Sequence, residues 1–276
     1  MKVSLIITTY NWPEALELCL LSILDQNRLP DEVIVADDGS SDETRLLVEK
    51  IASYAVVPIR HSWQEDKGFR AARSRNKAIV KSSCDYIIMV DGDVILDRNF
   101  IKDHIHQAKP GCFIQGSRVL LEEARTKEIL RTGDTTFFFF SPGIDNRKNC
   151  IRSRFLTKIF SKNGNYLEGI RACNTSFWKK DALSINGFNE DFEGWGREDS
   201  EFACRLMNKG INRLNVKFMA LVYHLFHPIC KRDKLCRNDL ILEKTEKNRL
   251  AWCENGIDKS ERRQESAPPE RSSKER

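Results

Sequence analysis

The sequence predicts an α/β fold in which helices flank a mostly parallel sheet. In roughly the first third of the chain, short apolar runs alternate with segments whose apolar residues recur at helical spacing, which gives the order β-α-β-α-β-α-β. Polar clusters directly follow three of the four apolar runs. Because the carboxyl ends of parallel strands share one rim, and ligands bind there, these clusters are expected to form one site.

The predicted elements of this part follow in order. Residues 3–8 form a continuous apolar run, which is typical of a strand buried on both faces. The helix after it covers residues 14–26, and Pro13 suits a first helical turn. The remaining elements are a strand at 32–36, a helix at 41–51, a strand at 56–60, a helix at 68–81 and a strand at 86–90.

The second half of the chain is less regular. Residues 113–121 are expected to form a strand, and the four phenylalanines within residues 135–140 indicate either a buried strand or an exposed, lipid-contacting surface. Residues 145–163 carry six basic residues and one acid, interleaved with apolar ones. This pattern suits a lid, a membrane-surface element or a solvated helix. Residues 231–258 are expected to form a helix, and residues 259–276 a disordered tail.

The composition of the whole chain narrows the class of protein. Its 276 residues suffice for one large α/β domain or two small ones. The net charge is only +5 and the basic residues are spread along the chain, which argues against a nucleic-acid binder. Such a mild positive charge suits anionic small molecules or an anionic membrane surface. The nine cysteines are odd in number and form no Cys-x-x-Cys pair, which favours a reducing, cytoplasmic location. Any membrane contact is expected to be peripheral.

Asp91-Gly92-Asp93 directly follows the fourth apolar run. Two carboxylates at a strand end suit Mg²⁺ or Mn²⁺, which prefer oxygen ligands and bridge phosphates. Such an ion neutralises charge on a departing diphosphate. The alternative is an exposed turn or helix cap.

Other residues near the strand ends suit a nucleotide. Asp37-Asp38-Gly39-Ser40 follows the second strand, where a carboxylate can accept hydrogen bonds from a base or a ribose, or simply shape a turn. Lys67-Gly68-Phe69-Arg70 and Arg73-Ser74-Arg75-Asn76 place cations near a helix start, which suits phosphate. At most one or two of these cations are expected to face a ligand.

Residues 187–202 carry the remaining chemistry. Glu198 and Asp199 fall in the first turn of a predicted helix, where a carboxylate is available as a base or merely compensates the helix dipole. Trp195, between two glycines, could stack on a sugar ring. Either His224 or His227, after an apolar run at 218–222, could complete a metal site with Asp93 or serve a structural role.

Taken together, these motifs resemble inverting family 2 glycosyltransferases, which have the Rossmann-like GT-A fold. The second half resembles the galactosyltransferase-type acceptor domain of animal β-1,4-galactosyltransferases and bacterial chondroitin-type polymerases. The resemblance rests on motifs in family order over residues 3–228: the opening run with Thr8-Thr9-Tyr10-Asn11, Asp38, Gly68 to Asn76, Asp91-Gly92-Asp93, Cys173-Asn174-Thr175 and Gly194-Trp195-Gly196-Arg197-Glu198-Asp199.

The resemblance implies a role for each matching residue. The donor-binding residues are Thr8, Tyr10, Asp38, Lys67, Arg75 and Asp91. Asp199 is implied as the catalytic base and Glu198 as a second catalytic residue, and Trp195, Asn174 and Glu198 as acceptor-binding residues. The implied metal ligands for Mn²⁺ or Mg²⁺ are Asp93, Asp91 and His224, with His227 as the alternative.

The implied reaction is a single displacement that moves a sugar from a UDP-sugar to a hydroxyl of a glycan or glycolipid, in bacterial surface polysaccharide or lipopolysaccharide synthesis by family analogy. Residues 1–110 would bind the nucleotide sugar, and residues 111–230 the acceptor. A nucleotidyltransferase is a rival, although the segment after the first strand is not a glycine-rich phosphate loop. A non-catalytic nucleotide-sugar-binding module is the second rival.

Overall fold

The structure, a computed structural model, describes residues 1–228 and 231–259. The strands are β1 Val3–Thr9, β2 Glu32–Asp37, β3 Ile59–Trp63, β4 Tyr86–Asp91, β5 Val94–Leu96, β6 Cys112–Gln115, β7 Ser117–Leu121, β8 Ile144–Asp145, β9 Lys162–Asn163, β10 Asn174–Trp178, β11 Asn212–Asn215 and β12 Leu221–His224. The helices are α1 Pro13–Leu24, α2 Asp42–Ala52, α3 Ala71–Lys81, α4 Phe100–Gln107, α5 Glu123–Thr132, α6 Arg154–Phe160, α7 Lys179–Ser184, α8 Glu198–Asn208 and α9 Leu235–Lys247, with a 3₁₀ turn at Arg147–Cys150.

An eight-stranded sheet in the order β3-β2-β1-β4-β10-β6-β11-β9 forms the centre of the fold. Strands β3, β2, β1 and β4 run parallel, as the sequence predicts. Strand β10 lies antiparallel between β4 and β6, and thereby joins the first half of the chain to the second. The predicted α/β fold with a large, mostly parallel sheet flanked by helices is confirmed.

The central strands are buried on both faces, because helices cover each side. Along β1, Val3, Leu5 and Ile7 pack with α1, α2 and α4, whereas Ile6 points to the opposite face and packs with α3 and α8. Side chains alternate between the faces of a strand, so a strand covered on both sides is apolar at nearly every position. This explains the continuous apolar run from which β1 is predicted.

A second sheet, in the order β5-β12-β7-β8, lies beside the first. The prediction of a single strand at residues 113–121 is wrong, because this segment forms two strands, β6 in the first sheet and β7 in the second. The chain crosses between the sheets at Gly116, where a Cβ atom would come within 2.4 Å of the Asn174 side chain. A glycine is therefore needed at this crossing.

The phenylalanine-rich segment does not form the buried strand expected for it. Helix α5 ends at Gly133, which has φ +71°, and residues 135–140 continue as a loop closed by the Ser141 N–H donating to the Phe138 carbonyl. Phe137 stacks on Tyr223 at 3.9 Å, whereas Phe140 is 81% exposed. Four consecutive aromatics thus produced a false strand signal, since only one of them faces the core.

The C-terminal region is partly described. Helix α9 is shorter than the segment predicted at 231–258. The tail predicted at 259–276 lies, apart from Lys259, outside the described residues. None of the described helices is long and apolar enough to cross a membrane. The division into halves at residue 110 stays a prediction.

Candidate active site

The carboxyl ends of β1, β2 and β4 meet at one rim. In the strand register, Thr8 lies opposite Asp91 and Thr9 opposite Asp37. The Gly92 N–H donates to the Thr8 carbonyl oxygen at 2.7 Å, so β1 and the turn after β4 stay in contact beyond the sheet. Three motifs that are distant in sequence are therefore adjacent here, as the strand pattern indicated.

The two acids after β2 have different environments. Asp37 accepts the backbone N–H groups of Gly39 and Ser40, at 3.1 and 2.7 Å, and contacts His61 Nε2 at 2.8 Å. Burial opposes its ionisation, but these bonds hold the pKa of Asp37 below its usual range. Asp37 therefore shapes the turn. Gly39 has φ +104° and no Cβ atom, so the backbone of this turn can approach Asp66 closely.

Asp38, the predicted donor-binding acid, faces away from that turn. Its carboxylate accepts Gln64 Nε2 and the Arg70 N–H, both at 2.6 Å, and burial raises its pKa. Gln64 directly follows β3, and sequence reasoning missed it because the third strand was predicted to end at residue 60. A longer strand would have revealed a fourth polar cluster, Gln64-Glu65-Asp66, at the same rim.

Tyr10 and Lys67 lie further out. Tyr10 is half exposed, and its hydroxyl donates to Asp66 at 2.9 Å. Lys67 forms an exposed ion pair with Glu65, and it lines a cavity of about 320 Å³ together with Trp195. The Arg232 guanidinium lies over the Trp195 ring, 4.9 Å from its centroid. The donor-binding roles of Tyr10 and Lys67 and the acceptor-binding role of Trp195 stay predictions.

Arg75 connects most of the predicted site. This buried side chain, on α3, donates to Thr8 Oγ1 at 3.1 Å, to Glu198 Oε1 at 2.9 Å and to Asp91 Oδ1 at 3.3 Å. Burial raises the pKa of Asp91 to about 6, although Arg75 opposes this. One cation thus holds β1, β4 and α8 together at the rim.

Asp199 is left without a cation bonded to it. Its carboxylate accepts the Ala172 N–H at 3.2 Å and the Ser200 N–H at 2.7 Å, while its neighbour Glu198 is bonded to Arg75. Burial, followed by the negative charge of Glu198, raises the pKa of Asp199 to about 7, with Arg75 opposing. A carboxyl group with this pKa can accept a proton near neutral pH.

Asn174, predicted to bind the acceptor, has a fully buried side chain. Its amide nitrogen donates to the carbonyls of Ser117 and Ala220, at 2.9 and 2.8 Å, and its oxygen faces His104 Nε2 at 3.0 Å. These bonds join the starts of β7 and β12 to the central sheet. Acceptor contact by Asn174 stays a prediction, and its amide is already bonded on both sides within the protein.

Asp93, His224 and His227 form a cluster of possible metal ligands. One ligand atom from each residue lies within 4.8 Å of the other two, and Nε2 of His224 and of His227 lies 3.6 and 3.3 Å from Asp93 Oδ2. The sequence left the two histidines as alternatives, whereas the structure brings both to Asp93. Strand β12 pairs with β5, which opposes His224 to Val94, next to Asp93.

The hydrogen bonds of this cluster fit a divalent cation. Each histidine directs Nδ1 to a carbonyl oxygen, of Leu225 or of Pro228, so Nδ1 carries a proton and, in the neutral ring, Nε2 presents a lone pair to Asp93. Burial lowers the pKa of His224, while bonding to Asp93 raises that of His227 to about 9. Asp93 Oδ1 is buried without a hydrogen-bond partner among the described residues. Facing lone pairs and an unbonded carboxylate oxygen need a second proton or a cation between them.

The fold, with acids at the ends of parallel strands beside an Asp–His–His cluster, is that of GT-A glycosyltransferases. The chain belongs to glycosyl transferase family 2, whose sequence pattern matches residues 4–178. A second pattern, described as the N-terminal domain of galactosyltransferase, matches residues 156–228. The resemblance that the motifs carry is confirmed.

Several characterised proteins are similar to this chain. The validoxylamine A glucosyltransferase of Streptomyces hygroscopicus subsp. limoneus is 28% identical over 229 residues, covering 75% of this chain and 48% of that protein. The chondroitin synthase of Pasteurella multocida is 25% identical over 228 residues, covering 75% and 23%. The O-antigen chain rhamnosyltransferase RfbN of Salmonella typhimurium is 36% identical over 112 residues, covering 38% and 33%. The chain thus spans about half or less of the length of these relatives.

Solved structures show the same fold. Residues 1–349 of S. aureus TarS superpose with a TM-score of 0.62 at 16% identity, covering 90% of this chain and 68% of that one. The same TarS fragment in complex with UDP gives a TM-score of 0.60.

Proposed function

We propose that this chain transfers a sugar from a UDP-sugar to a hydroxyl of a glycan or glycolipid, with inversion at the anomeric carbon and with a divalent ion held by Asp93, His224 and His227. The observation that carries the proposal is the placement of this cluster at the rim where Arg75 joins Asp91 to Glu198. The names of the relatives, a chondroitin synthase and an O-antigen rhamnosyltransferase, favour bacterial surface polysaccharide synthesis.

The charge of the site supports a metal-dependent donor. Asp91, Asp93, Glu198 and Asp199 all lie around Arg75 or the histidine cluster, so a diphosphate approaching them meets mainly negative charge. When bound, a divalent ion would neutralise the charge that develops on the departing diphosphate. Because imidazole is softer than the oxygen ligands that Mg²⁺ prefers, two histidines favour Mn²⁺. Asp91 is bonded to Arg75, so it is assigned to hold that cation near the donor.

The two acids at the start of α8, Glu198 and Asp199, are assigned different roles in the reaction. Glu198 is occupied by Arg75 and positions it, whereas Asp199 accepts only N–H groups and the Ser200 hydroxyl and has a pKa near 7. Asp199 is therefore the residue that takes the proton of the acceptor hydroxyl while that oxygen attacks the anomeric carbon. Asp38 and Tyr10, at the far side of the rim, are assigned to the nucleotide.

UDP together with Mn²⁺ is expected to raise the melting temperature by roughly 5 °C or more when UDP is at about 100 times its dissociation constant, because a ligand that binds only the folded state adds about 2.7 kcal/mol at that concentration. The measurement is a thermal unfolding scan with UDP, with a panel of UDP-sugars and with no nucleotide, each with Mn²⁺ or with EDTA. The sugar giving the largest shift identifies the donor.

The EDTA arm of this scan and an assay of the products of turnover separate the rivals. A shift of equal size with EDTA would contradict the metal site. Release of pyrophosphate instead of UDP during turnover would identify a nucleotidyltransferase. Binding without any hydrolysis or transfer of the donor sugar would identify a non-catalytic module.

Peripheral binding to an anionic membrane is proposed for helix α6. Phe155 and Ile159 are four residues apart on this helix and are 70% and 57% exposed, and Arg154 and Lys158 stand beside them. Apolar side chains next to cations suit the boundary between lipid headgroups and acyl chains. A membrane-bound glycolipid would thereby be kept near the enzyme.

The double variant Phe155→Ser/Ile159→Ser is expected to bind anionic vesicles at least about tenfold more weakly, since burial of one such side chain contributes about 1.5–3 kcal/mol. Vesicle sedimentation measures this, with vesicles of phosphatidylglycerol and phosphatidylcholine compared. Leu46→Ser, which removes a 55% exposed leucine of α2, is the matched control. Equal binding of the two variants would rule out α6 as the contact.

A further inference from the structure

A basic cleft opens next to the proposed base. It has a volume of about 600 Å³ and lies between the ends of β6, β7 and β11 and the segment after β9. We call it the basic cleft, and its cationic side chains are Arg118, Lys162, Arg171, Arg213 and Lys217. A single acid, Glu168, is among its lining residues.

Its cations have no acidic partner. Among the residues that the structure describes, Arg118, Arg171 and the two lysines form no ion pair with a carboxylate within 4.0 Å. This differs from exposed arginines elsewhere, such as Arg98, which pairs with Asp25 at 2.8 Å. Like charges gathered in a concave surface attract an anion, because the cleft focuses their field.

Burial of Arg213 makes the uncompensated positive charge of the basic cleft more unfavourable. The side chain is 1% exposed, it donates to the backbone carbonyls of Tyr166 and Glu168 at 2.9 and 2.7 Å, and the Tyr166 ring lies 4.5 Å from its guanidinium carbon. Its Nε–H is buried without a partner among the described residues. A buried guanidinium bonded only to neutral groups is unfavourable unless a negative charge compensates it.

The three arginines are also close enough to repel one another. The pKa of Arg171 is lowered, first by the protein packed around its side chain and then by the positive charge of Arg118. The side chain is nevertheless exposed to solvent. Burial, and then the positive charge of Arg171, lowers the pKa of Arg213, while Tyr166 and Glu168 oppose this shift. Arginine keeps its proton at any working pH, so the repulsion persists until an anion binds.

The cleft borders the proposed reaction centre. Ala172, which follows Arg171, donates its N–H to Asp199 at 3.2 Å. On the other side, Arg118 lies opposite Val222 in the pairing of β7 with β12, two residues before His224. A ligand in the cleft would therefore extend away from the point where Asp199 takes its proton.

We propose that the basic cleft binds a negatively charged unit of the acceptor, a phosphate or a carboxylate carried by a sugar residue near the reacting hydroxyl. This rests on the proposed function and adds the class of acceptor to it: an anionic glycan. The guanidinium groups of Arg118 and Arg171 recognise the anion, since their planar forks match both oxyanions. Tyr166 offers an aromatic face beside them.

The test measures binding of three small probes to the full chain by isothermal titration calorimetry: glucose 6-phosphate, glucuronate and neutral glucose, with UDP and Mn²⁺ present to fill the donor site. We expect at least one charged sugar to bind about tenfold or more tightly than glucose, and to weaken as NaCl is raised. The tighter of the two charged probes tells phosphate from carboxylate. Arg118→Gln/Arg171→Gln should abolish the preference, whereas the control Arg98→Gln should retain it.

Equal binding of charged and neutral sugars, or a preference that survives in the double variant, would overturn the proposal. So would binding of the charged sugar that occurs without UDP but is lost when UDP is present, which would place the sugar in the donor site. Arg171→Gln alone, at an exposed position, is the second variant if the double variant does not fold. A separate UDP titration keeps the two proposals distinct, since loss of UDP binding would contradict the transferase function and leave the anion site standing.

Discussion

Replacing Asp199 by asparagine is expected to lower kcat about 10²–10⁴-fold while UDP binding stays near its original strength. The range is the usual contribution of a positioned general base, and asparagine has the same shape but cannot take a proton. Asp199 has no cation bonded to it, whereas Glu198 is bonded to Arg75. The measurement is sugar transfer under saturating donor, together with calorimetric titration of UDP in the presence of Mn²⁺.

The pH profile makes this prediction sharper. Burial and Glu198 raise the pKa of Asp199 to about 7, so the unprotonated fraction, and with it kcat/KM, should rise as pH increases through about 7. Asp25→Asn, at an exposed acid that pairs with Arg98, is the matched control and should keep both rate and profile. Turnover of Asp199→Asn within a few-fold of the original protein would exclude the assigned role.

The rim that holds the proposed site is the part of the fold that the sequence predicts best. Strands β1, β2 and β4 are covered on both faces, so each appears as a largely apolar run, and the acids after Val90 and Ala36 mark where the apolar run ends. Strand β3 is an edge of the sheet with a polar, partly exposed pattern. Its position was therefore predicted too early in the chain, and Gln64 was missed.

Elements that depend on distant partners could not be predicted in the same way. No local signal marks the antiparallel insertion of β10, or the separation of β6 from β7, because both depend on the space around Asn174. The choice between His224 and His227 is of the same kind. Two residues lie between them, and only the three-dimensional structure shows that both reach Asp93.

Arg75 illustrates how charge could have improved the prediction. The sequence offers it as one of several cations for phosphate, whereas the structure bonds it to Asp91 and Glu198. Once several acids are predicted to meet at a buried rim, at least one cation must be placed among them, because unpaired buried charges are strongly unfavourable. Helix α3 follows β3 directly and is the nearest source of such a cation.

Replacing Asp93 by asparagine is expected to abolish the Mn²⁺-dependent part of UDP binding and to lower turnover by about 100-fold or more. A divalent ion contributes several kcal/mol to stabilising charge in such a reaction, and each 1.4 kcal/mol corresponds to a factor of ten. Asparagine keeps the size of the side chain but removes the negative charge that lies 3.3 and 3.6 Å from the two histidines. The measurement compares the melting temperature and the rate of transfer with Mn²⁺ and with EDTA.

Two further comparisons decide how the cluster works. Asp85→Asn, at an exposed acid just before β4, removes the same charge at the opposite end of that strand and should leave metal dependence intact. His224→Gln and His227→Gln should each weaken the response to Mn²⁺, because the three side chains act as one ligand set. If only one histidine variant loses the response, the other histidine is not a ligand. If Asp93→Asn retains full Mn²⁺-dependent UDP binding, the ion is held elsewhere and the charge of the rim must be neutralised by Arg75 alone.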